Sequence, residues 1–174
     1  VPGAVSVPLF SDEERAEIGT VYKQKSEAKA LRLGLKYAGL RMADLVAQVD
    51  AIAKRDPSPV EVYCWRGGQR SGSVSWLLRT AGYEVLQWPG GYKSYRHKVL
   101  ESWASPRPYV VLAGLTGTGK TEVLRAMMAQ GAAVLDLEGL ASHKGSAFGQ
   151  IGELPQPSSE QFENTGALKL AELE

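Results

Sequence analysis

The only cysteine of the chain, Cys64, stands between the β-branched run VEVY and a helical pattern, in the segment CWRGGQRS. At the end of a strand and just before a helix, several backbone N–H groups and the positive end of the helix dipole favour an anion. Gly67 and Gly68 allow the loop to curl so that these N–H groups converge on one point. Arg66 and Arg70 add positive charge nearby. The pattern predicts a Cys64 thiol with a lowered pKa, which reacts as a thiolate or persulfide.

A lone cysteine more often packs as a small hydrophobic residue in a core. Two glycines and two arginines within six residues are poor neighbours for a buried side chain, so the reactive interpretation is favoured. The predicted catalytic residues are Cys64, Arg66, Gly67, Gly68, Arg70 and Ser71.

A second candidate site is the segment GLTGTGKT, which fits the Walker A pattern G-x-x-x-x-G-K-[ST]. An apolar run precedes it and a helical pattern follows, as the motif requires. In such a loop the N–H groups surround a phosphate, while lysine supplies positive charge and threonine a hydroxyl for Mg²⁺. The predicted phosphate-binding residues are Gly114, Thr116, Gly117, Thr118, Gly119, Lys120 and Thr121. The motif does not identify which phosphate compound binds.

Two weaker signals accompany these loops. Asp136 ends a predicted strand and is, with Thr121, a candidate Mg²⁺ ligand, although a solvated charge at a strand end fits equally well. Residues 61–107 carry seven Lys or Arg against three Asp or Glu, a local charge of +4. Basic residues interleaved with tyrosines can bind RNA phosphates and stack a base, although a structured turn between domains fits nearly as well. The candidate RNA-binding residues are Tyr92, Lys93, Tyr95, Arg96 and Lys98.

The elements that must position these residues alternate between strands and helices. Ser11 and Glu14 form a capping-box pattern that begins a helical region running from Asp12 to about Lys54. VEVYCW and YEVLQW are predicted strands separated by the helix SGSVSWLLRTAG. After the linker SWASPRP, the segments YVVLAG, KTEVLRAMMAQG and AAVLDLEG predict strand, helix and strand, and SEQFENTGALKLAELE a last helix. The alternation indicates an α/β protein with parallel sheets.

Composition limits the class of protein. The chain has 174 residues, 44% hydrophobic and 22% charged, with a net charge of +1, as is typical of soluble globular proteins. No run approaches the ~18 apolar residues of a membrane helix, and no signal peptide is recognisable. A single cysteine excludes an internal disulfide and favours a reducing, cytoplasmic location. The opening VPGAVSVPLF, which lacks Met, predicts that the chain is a piece of a longer protein.

The segment CWRGGQRS resembles the active loop of rhodanese-type sulfurtransferases, and PGAVSVPL and WPGGY resemble turns of the same family. Together with GGYKSYR, SDEERAEIGTVYK and LEGLASHKGSAFG, they resemble the tRNA 2-selenouridine synthases, in which a rhodanese domain precedes a P-loop domain. The resemblance implies a rhodanese-like parallel-sheet domain at residues 1–104. It also implies a partial P-loop NTPase-like α/β domain at residues 105–174.

This resemblance further implies an enzyme that replaces sulfur by selenium in the wobble 2-thiouridine of the tRNA anticodon stem-loop. The implied co-substrates are geranyl diphosphate, which forms an S-geranyl intermediate, and selenophosphate, with Mg²⁺ as a candidate cofactor. The implied partners are tRNA and an enzyme that produces selenophosphate, without a membrane. Two alternatives stay open: a P-loop kinase or NTPase fused to a rhodanese sulfur carrier, and a non-catalytic binding module.

Overall fold

The computed structural model describes residues 1–53, 58–115, 117–146 and 148–173. It divides into two compact units, one comprising Val5–Ser94 and the other Val1–Ala4 with Tyr95–Glu174. We call the first the cysteine unit and the second the P-loop unit, after the motif that each contains. Within the described ranges, no helix combines the length and the apolar character needed to cross a membrane.

The cysteine unit begins with two helices that pack against each other, α1 (Asp12–Gln24) and α2 (Glu27–Ala53). Helix α1 starts with the predicted capping box: the Ser11 hydroxyl accepts the N–H of Glu14, and the Glu14 carboxylate accepts that of Ser11 at 2.8 Å. These two bonds satisfy N–H groups that have no partner inside the helix. The helical region predicted as one run is divided into two helices between Gln24 and Glu27. Its predicted end near Lys54 lies outside the described residues.

A two-stranded parallel sheet and the helix between its strands form the rest of this unit. Strands β1 (Val60–Val62) and β2 (Val85–Gln87) pair with Val62 opposite Gln87, and α3 (Gln69–Thr80) connects them. Both strands and the helix lie where the sequence predicts them. The buried cluster contains Val49 of α2, Leu78 of α3 and Val85 of β2. This packing fixes the loop between β1 and α3, which carries Cys64.

Helix α4 (Gly91–Ala104) contains the division between the two units, and includes the first residues of the predicted linker SWASPRP. The domain boundary predicted after residue 104 stays a prediction. The P-loop unit continues with α5 (Lys120–Ala129), α6 (Leu137–Ala141) and α7 (Ser159–Glu172). Trp103 of α4 donates from Nε1 to the Glu163 carbonyl oxygen at 2.9 Å, and a Cβ on Gly166 would overlap its ring. A side chain on Gly166 would therefore prevent this approach of α4 and α7.

Neither strand predicted around the Walker A sequence is present among the described residues. Residues 109–115 form no ladder, and in this segment Val110 is fully exposed and Val111 is 82% exposed. Residues 132–136 also lack strand structure, and the end of the second predicted strand forms α6 instead. The prediction was wrong here because apolar, β-branched residues favour a strand only where a neighbouring strand pairs with their N–H and C=O groups. The described part of this unit supplies no such neighbour.

Candidate functional site

Cys64 lies in the loop between β1 and α3, with its thiol partly buried. Its Sγ is 3.3 Å from the hydroxyl oxygen of Ser71 in the first turn of α3. The backbone N–H groups of Arg66, Gly68 and Ser71 also act on the sulfur and favour its charged form. The loop and the start of α3 therefore aim several donors at one sulfur atom, as the sequence predicts.

The pKa of the Cys64 thiol falls from its ordinary value of 9.0 to about 7. Partial burial raises the pKa, but the Ser71 hydroxyl and the three backbone N–H groups lower it by more. The direction is the one predicted from the sequence, whereas the physical cause lies in hydrogen bonds to the sulfur rather than in the exposed Arg66 and Arg70 side chains. Near neutral pH, roughly half of such thiols are ionised, and the thiolate is the form that attacks an electrophile.

Two glycines allow the loop to approach the start of α4. Gly67 and Gly91 have φ angles of +66° and +59°, which side chains other than hydrogen rarely tolerate. A Cβ on Gly67 would lie 2.7 Å from the Trp88 carbonyl oxygen, and one on Gly91 would overlap the Cys64 carbonyl oxygen. Gly68 differs, because its φ is −94° and a Cβ there would meet nothing within 4 Å. The sequence predicted that Gly67 and Gly68 allow the loop to curl. In the structure the curl depends instead on Gly67 and on Gly91, and the sequence analysis had placed Gly91 only in a turn.

The first turn of α4 is hydrogen-bonded to the cysteine loop. The N–H of Tyr92 donates to the Cys64 carbonyl at 2.9 Å, and that of Lys93 to the Trp65 carbonyl at 3.0 Å. The Trp65 ring, 53% exposed, packs on the Tyr92 ring with their centroids 5.5 Å apart. A partly exposed aromatic pair therefore lies beside the candidate nucleophile. Sequence reasoning missed Trp65, although a tryptophan directly after the candidate cysteine was a signal that could have identified it.

Gln87 is a second site residue that the sequence analysis did not single out. From the end of β2, its Nε2 donates to the Gly67 carbonyl at 3.1 Å and to the Ser71 hydroxyl at 3.2 Å. A polar residue directly after the apolar pair of Val85 and Leu86, at the end of a predicted strand, was the available signal. Its contacts connect the strand to the residue that touches the cysteine sulfur.

The Walker A sequence forms a turn that leads into α5. Gly117 and Gly119 have φ angles of +81° and +77°, and Gly119 immediately precedes the helix. The Lys120 Nζ donates to the carbonyls of Gly114 at 2.8 Å and Leu115 at 2.9 Å. The glycine loop thus opens directly onto a helix N-terminus, an arrangement suited to an anion.

Of the other predicted phosphate-binding residues, Thr118 lies in this turn, where its hydroxyl donates to the Leu115 carbonyl at 2.8 Å. Thr121 lies in the first turn of α5. Thr116 lies outside the described residues.

Asp136 ends no strand; it caps α6. One carboxylate oxygen of Asp136 accepts the N–H of Gly139 at 2.9 Å. This hydrogen bond provides a partner for an N–H group at the start of α6, so the position of Asp136 has an explanation that needs no metal. A carboxylate and the Thr121 hydroxyl are nevertheless ligands of the type that Mg²⁺ prefers, so both stay candidates. No group of three His, Cys, Asp or Glu side chains suited to a metal is found in the part of the chain that the structure describes.

The residues predicted to contact RNA all lie on α4: Tyr92, Lys93, Tyr95, Arg96 and Lys98. Lys93 and Lys98 are exposed. Arg96 is partly buried, donates to the Asn164 side-chain oxygen at 3.1 Å and forms an ion pair with Glu163. The charge of Arg96 is therefore compensated by α7, which makes it a poorer phosphate contact than the two lysines.

The cysteine unit has an α/β fold with a small parallel sheet and carries the candidate nucleophile, and the P-loop unit carries a Walker A sequence. A family profile described as the tRNA 2-selenouridine synthase AAA domain matches residues 107–174. The tRNA 2-selenouridine synthase of Cupriavidus pinatubonensis is 42% identical over 172 residues, covering 96% of this chain and 45% of that protein. The enzyme of the same name from Bdellovibrio bacteriovorus is 40% identical over 178 residues, covering 100% of this chain and 46% of that protein. The chain is therefore similar over nearly its whole length to tRNA 2-selenouridine synthases, and it spans a little under half the length of these relatives.

A solved structure is also similar to this chain. It is the N-terminal domain of a candidate ATP/GTP-binding protein from Clostridium difficile 630, with a TM-score of 0.53 and 38% sequence identity. The match covers 57% of this chain and 77% of that domain. The likeness supports the α/β architecture of the matched part.

Proposed function

We propose that the protein replaces sulfur by selenium in the wobble 2-thiouridine of tRNA, with the cysteine unit acting as its rhodanese-like domain. The observation that carries this proposal is the Cys64 thiol, whose sulfur lies among backbone N–H donors and whose pKa is about 7. Exchange at C2 of a pyrimidine breaks a carbon–sulfur bond, and therefore needs a soft nucleophile and a good leaving group. The names of the relatives, which specify tRNA and 2-selenouridine, supply the substrate class.

The first half-reaction is transfer of a geranyl group to the thiouridine sulfur. The sulfur attacks C1 of geranyl diphosphate, the bond from C1 to oxygen breaks, diphosphate leaves, and N3 of the base loses its proton. The N–H groups at the start of α5 and the Lys120 ammonium would stabilise the charge that grows on the departing diphosphate. Thr121 and Asp136 would hold Mg²⁺, which would supply Lewis acidity at this site. Neither the loop amides nor Lys120 reads a nucleobase, so a prenyl diphosphate suits them as well as a nucleotide does.

The second half-reaction exchanges the alkylated sulfur for selenium. The Cys64 thiolate attacks C2 of the base, and the geranylthiolate leaves and takes up a proton. The selenium of selenophosphate then attacks C2 and expels the Cys64 thiolate, and water cleaves the phosphorus–selenium bond to release phosphate and 2-selenouridine. The N–H groups of Arg66, Gly68 and Ser71 favour the thiolate both before attack and as it leaves. An enzyme that produces selenophosphate is the partner that this step requires.

The surface beside Cys64 supports contact with RNA. The ring pair of Trp65 and Tyr92 provides an aromatic face on which an unstacked base can pack. Lys93 is exposed one residue beyond Tyr92, and Lys98 is exposed further along α4. We propose that the aromatic pair receives the modified base and that the two lysines contact phosphates.

A nucleotide site is the second candidate for the Walker A loop, because the similar solved domain is described as a candidate ATP/GTP-binding protein. In that case the chain would combine a P-loop NTPase with a rhodanese sulfur carrier. It would hydrolyse ATP over many turnovers without tRNA, whereas a geranyl diphosphate site would need no ATP.

The nucleophile is tested by mass spectrometry of tRNA nucleosides. Cells lacking the gene receive the full-length protein, either wild type or with Cys64→Ser. We expect the Cys64→Ser cells to accumulate S-geranyl-2-thiouridine and to lack 2-selenouridine. Normal levels of 2-selenouridine in these cells would contradict the catalytic assignment of Cys64.

The phosphate loop is tested with Lys120→Ala, and Arg125→Ala on the exposed side of α5 is the matched loss of charge. Loss of a charge-assisted contact worth ~1.5–3 kcal/mol should lower geranylation of tRNA by roughly ten- to a hundredfold. Selenation of tRNA that already carries the geranyl group should fall much less, and Arg125→Ala should leave both steps unchanged. Intact geranylation in Lys120→Ala, or a strict ATP requirement in the wild type, would favour the nucleotide site.

A further inference from the structure

We propose that Gln87 is a positioning residue for the candidate reaction centre. Gln87 holds the Ser71 hydroxyl against Cys64, where this hydroxyl can stabilise the thiolate. The inference deepens the proposed function, on which its chemical consequence rests. Its geometric basis is independent of the substrate, because it concerns three side chains within the cysteine unit.

The side-chain amide of Gln87 bridges two parts of the loop. One of its N–H groups donates to the Gly67 carbonyl at 3.1 Å, and the other to the Ser71 hydroxyl oxygen at 3.2 Å. The orientation of the amide follows from its partners, because a carbonyl oxygen can only accept and must face the NH₂ group. Gln87 therefore connects the turn before α3 to the first turn of that helix.

The hydrogen bonds of Ser71 show why this connection matters for Cys64. A hydroxyl has one proton to donate and two lone pairs to accept with. The Ser71 hydroxyl donates to the Gly68 carbonyl at 3.1 Å, accepts from Gln87, and lies 3.3 Å from Cys64 Sγ. While the thiol is protonated, its S–H can donate to the remaining lone pair of Ser71.

Ionisation of the thiol changes the contacts of the Ser71 hydroxyl with Gly68 and with Cys64, but not its bond from Gln87. A thiolate can only accept, so the Ser71 proton turns from the Gly68 carbonyl towards the sulfur. The bond from Gln87 is compatible with both states, because Gln87 donates to the hydroxyl oxygen in each. Gln87 thus keeps the oxygen near the sulfur while the hydroxyl proton changes partner.

The backbone of β2 holds Gln87 in place for this role. Gln87 pairs with Val62 in the sheet register, and the N–H of the next residue, Trp88, donates to the Val62 carbonyl at 3.0 Å. Val85, two residues earlier, belongs to the buried cluster. An amide that extends from a paired strand varies less in position than one carried by a loop.

The test is the pH dependence of Cys64 alkylation in the full-length protein. Iodoacetamide modification is followed at the Cys64 peptide by mass spectrometry, between about pH 5.5 and 9.5. Gln87→Met keeps the side-chain length and removes both N–H donors. We expect the alkylation midpoint of this variant to rise by about half to one pH unit, which slows alkylation near pH 7 about two- to fivefold.

Arg79→Met is the matched control. Arg79 also donates to the main chain near β2, to the Val85 carbonyl at 2.9 Å, so its loss perturbs the same strand without touching Ser71. We expect its alkylation midpoint to equal that of the wild type. Gln87→Glu is the second variant, in case Gln87→Met does not fold. Its carboxylate cannot donate to a carbonyl and repels a thiolate, so its midpoint should rise further.

Ser71→Ala completes a double-mutant cycle. If Gln87 acts through Ser71, Gln87→Met should shift the midpoint much less in the Ser71→Ala background than in the wild type. The charged or titratable side chains of β1, the cysteine loop and the first turns of α3 and α4 are Glu61, Tyr63, Arg66, Arg70, Tyr92 and Lys93. Because modification is measured at the Cys64 peptide, its midpoint reports the ionisation of that thiol.

Three outcomes would each overturn the proposal. One is an unchanged alkylation midpoint in folded Gln87→Met or Gln87→Glu, and another is a shift in Arg79→Met equal to that in Gln87→Met. The third is full additivity of the midpoint shifts of Gln87→Met and Ser71→Ala. None of these outcomes depends on tRNA. Failure of Cys64→Ser to abolish selenation would instead overturn the proposed function and leave the result for Gln87 standing.

Discussion

Replacement of Gly91 by alanine tests how the start of α4 shapes the cysteine loop. Gly91 has a φ of +59°, and a Cβ there would overlap the carbonyl oxygen of Cys64. That oxygen belongs to the main chain, so a flexible side chain cannot move aside to make room. The carbonyl is also held by the N–H of Tyr92 at 2.9 Å. The loop must therefore separate from α4 to accommodate one methyl group.

The cost of Gly91→Ala has two parts. Holding alanine at a left-handed φ costs ~1–2 kcal/mol. Separation of the loop breaks the bonds from Tyr92 to the Cys64 carbonyl and from Lys93 to the Trp65 carbonyl, which are each worth ~0.5–1.5 kcal/mol net. The free energy of unfolding should therefore fall by roughly 2–5 kcal/mol. With a urea m-value of about 1–3 kcal/mol/M, the midpoint should shift to a lower concentration by at least roughly 0.7 M.

The assay is urea unfolding followed by tryptophan fluorescence, with Gly68→Ala as the control. Gly68 belongs to the same loop, but its φ is −94° and a Cβ there meets nothing within 4 Å. We expect Gly68→Ala to change the free energy of unfolding by less than about 0.5 kcal/mol. Equal stability of Gly91→Ala and the wild type, or equal losses in the two variants, would refute the reasoning.

Two further predictions concern the charge of Cys64 and the contacts with RNA. The pKa of the Cys64 thiol is about 7 in the folded protein, below the ordinary 9.0. Between pH 7 and pH 9 the unfolded chain therefore binds more protons than the folded protein, so the free energy of unfolding should rise with pH across this interval. Urea unfolding at several pH values should show this rise in the wild type but not in Cys64→Ser, and identical profiles would contradict it. Lys93→Ala and Lys98→Ala should each flatten the slope of log tRNA affinity against log salt by roughly 0.7–0.9. Arg96→Met should flatten it less, because its guanidinium is already paired with a carboxylate; an equal or larger effect would identify Arg96 as a phosphate contact.

Elements determined by neighbouring residues were predictable from the sequence. The capping box of Ser11 and Glu14 depends on residues three apart, and it forms as predicted. The order of β1, the Cys64 loop and α3 follows from an apolar run, two glycines and a helical pattern in one continuous segment. The direction of the Cys64 pKa shift followed for the same reason, since its donors Arg66, Gly68 and Ser71 lie within seven residues of it.

Strand pairing could not be predicted in the same way. The apolar segment 109–115 has the local composition of a strand, yet it forms none, because a strand depends on a partner that local composition does not specify. The paired strands β1 and β2 show the opposite case, where tertiary structure brings Val62 and Gln87 together across 25 residues of sequence.

The sequence by itself determined which residue is the candidate nucleophile, where its loop begins and ends, and which helix follows it. Only the tertiary structure decided what surrounds that loop. Gln87 lies 16 residues from the Ser71 hydroxyl that it holds, and Gly91 meets a carbonyl 27 residues earlier. Arg96 pairs with a carboxylate on α7, 67 residues away. Such contacts depend on how whole helices and strands pack. Hydrogen bonds and steric overlap act only between atoms a few ångströms apart, so the local sequence around one residue does not show which distant residue it will meet.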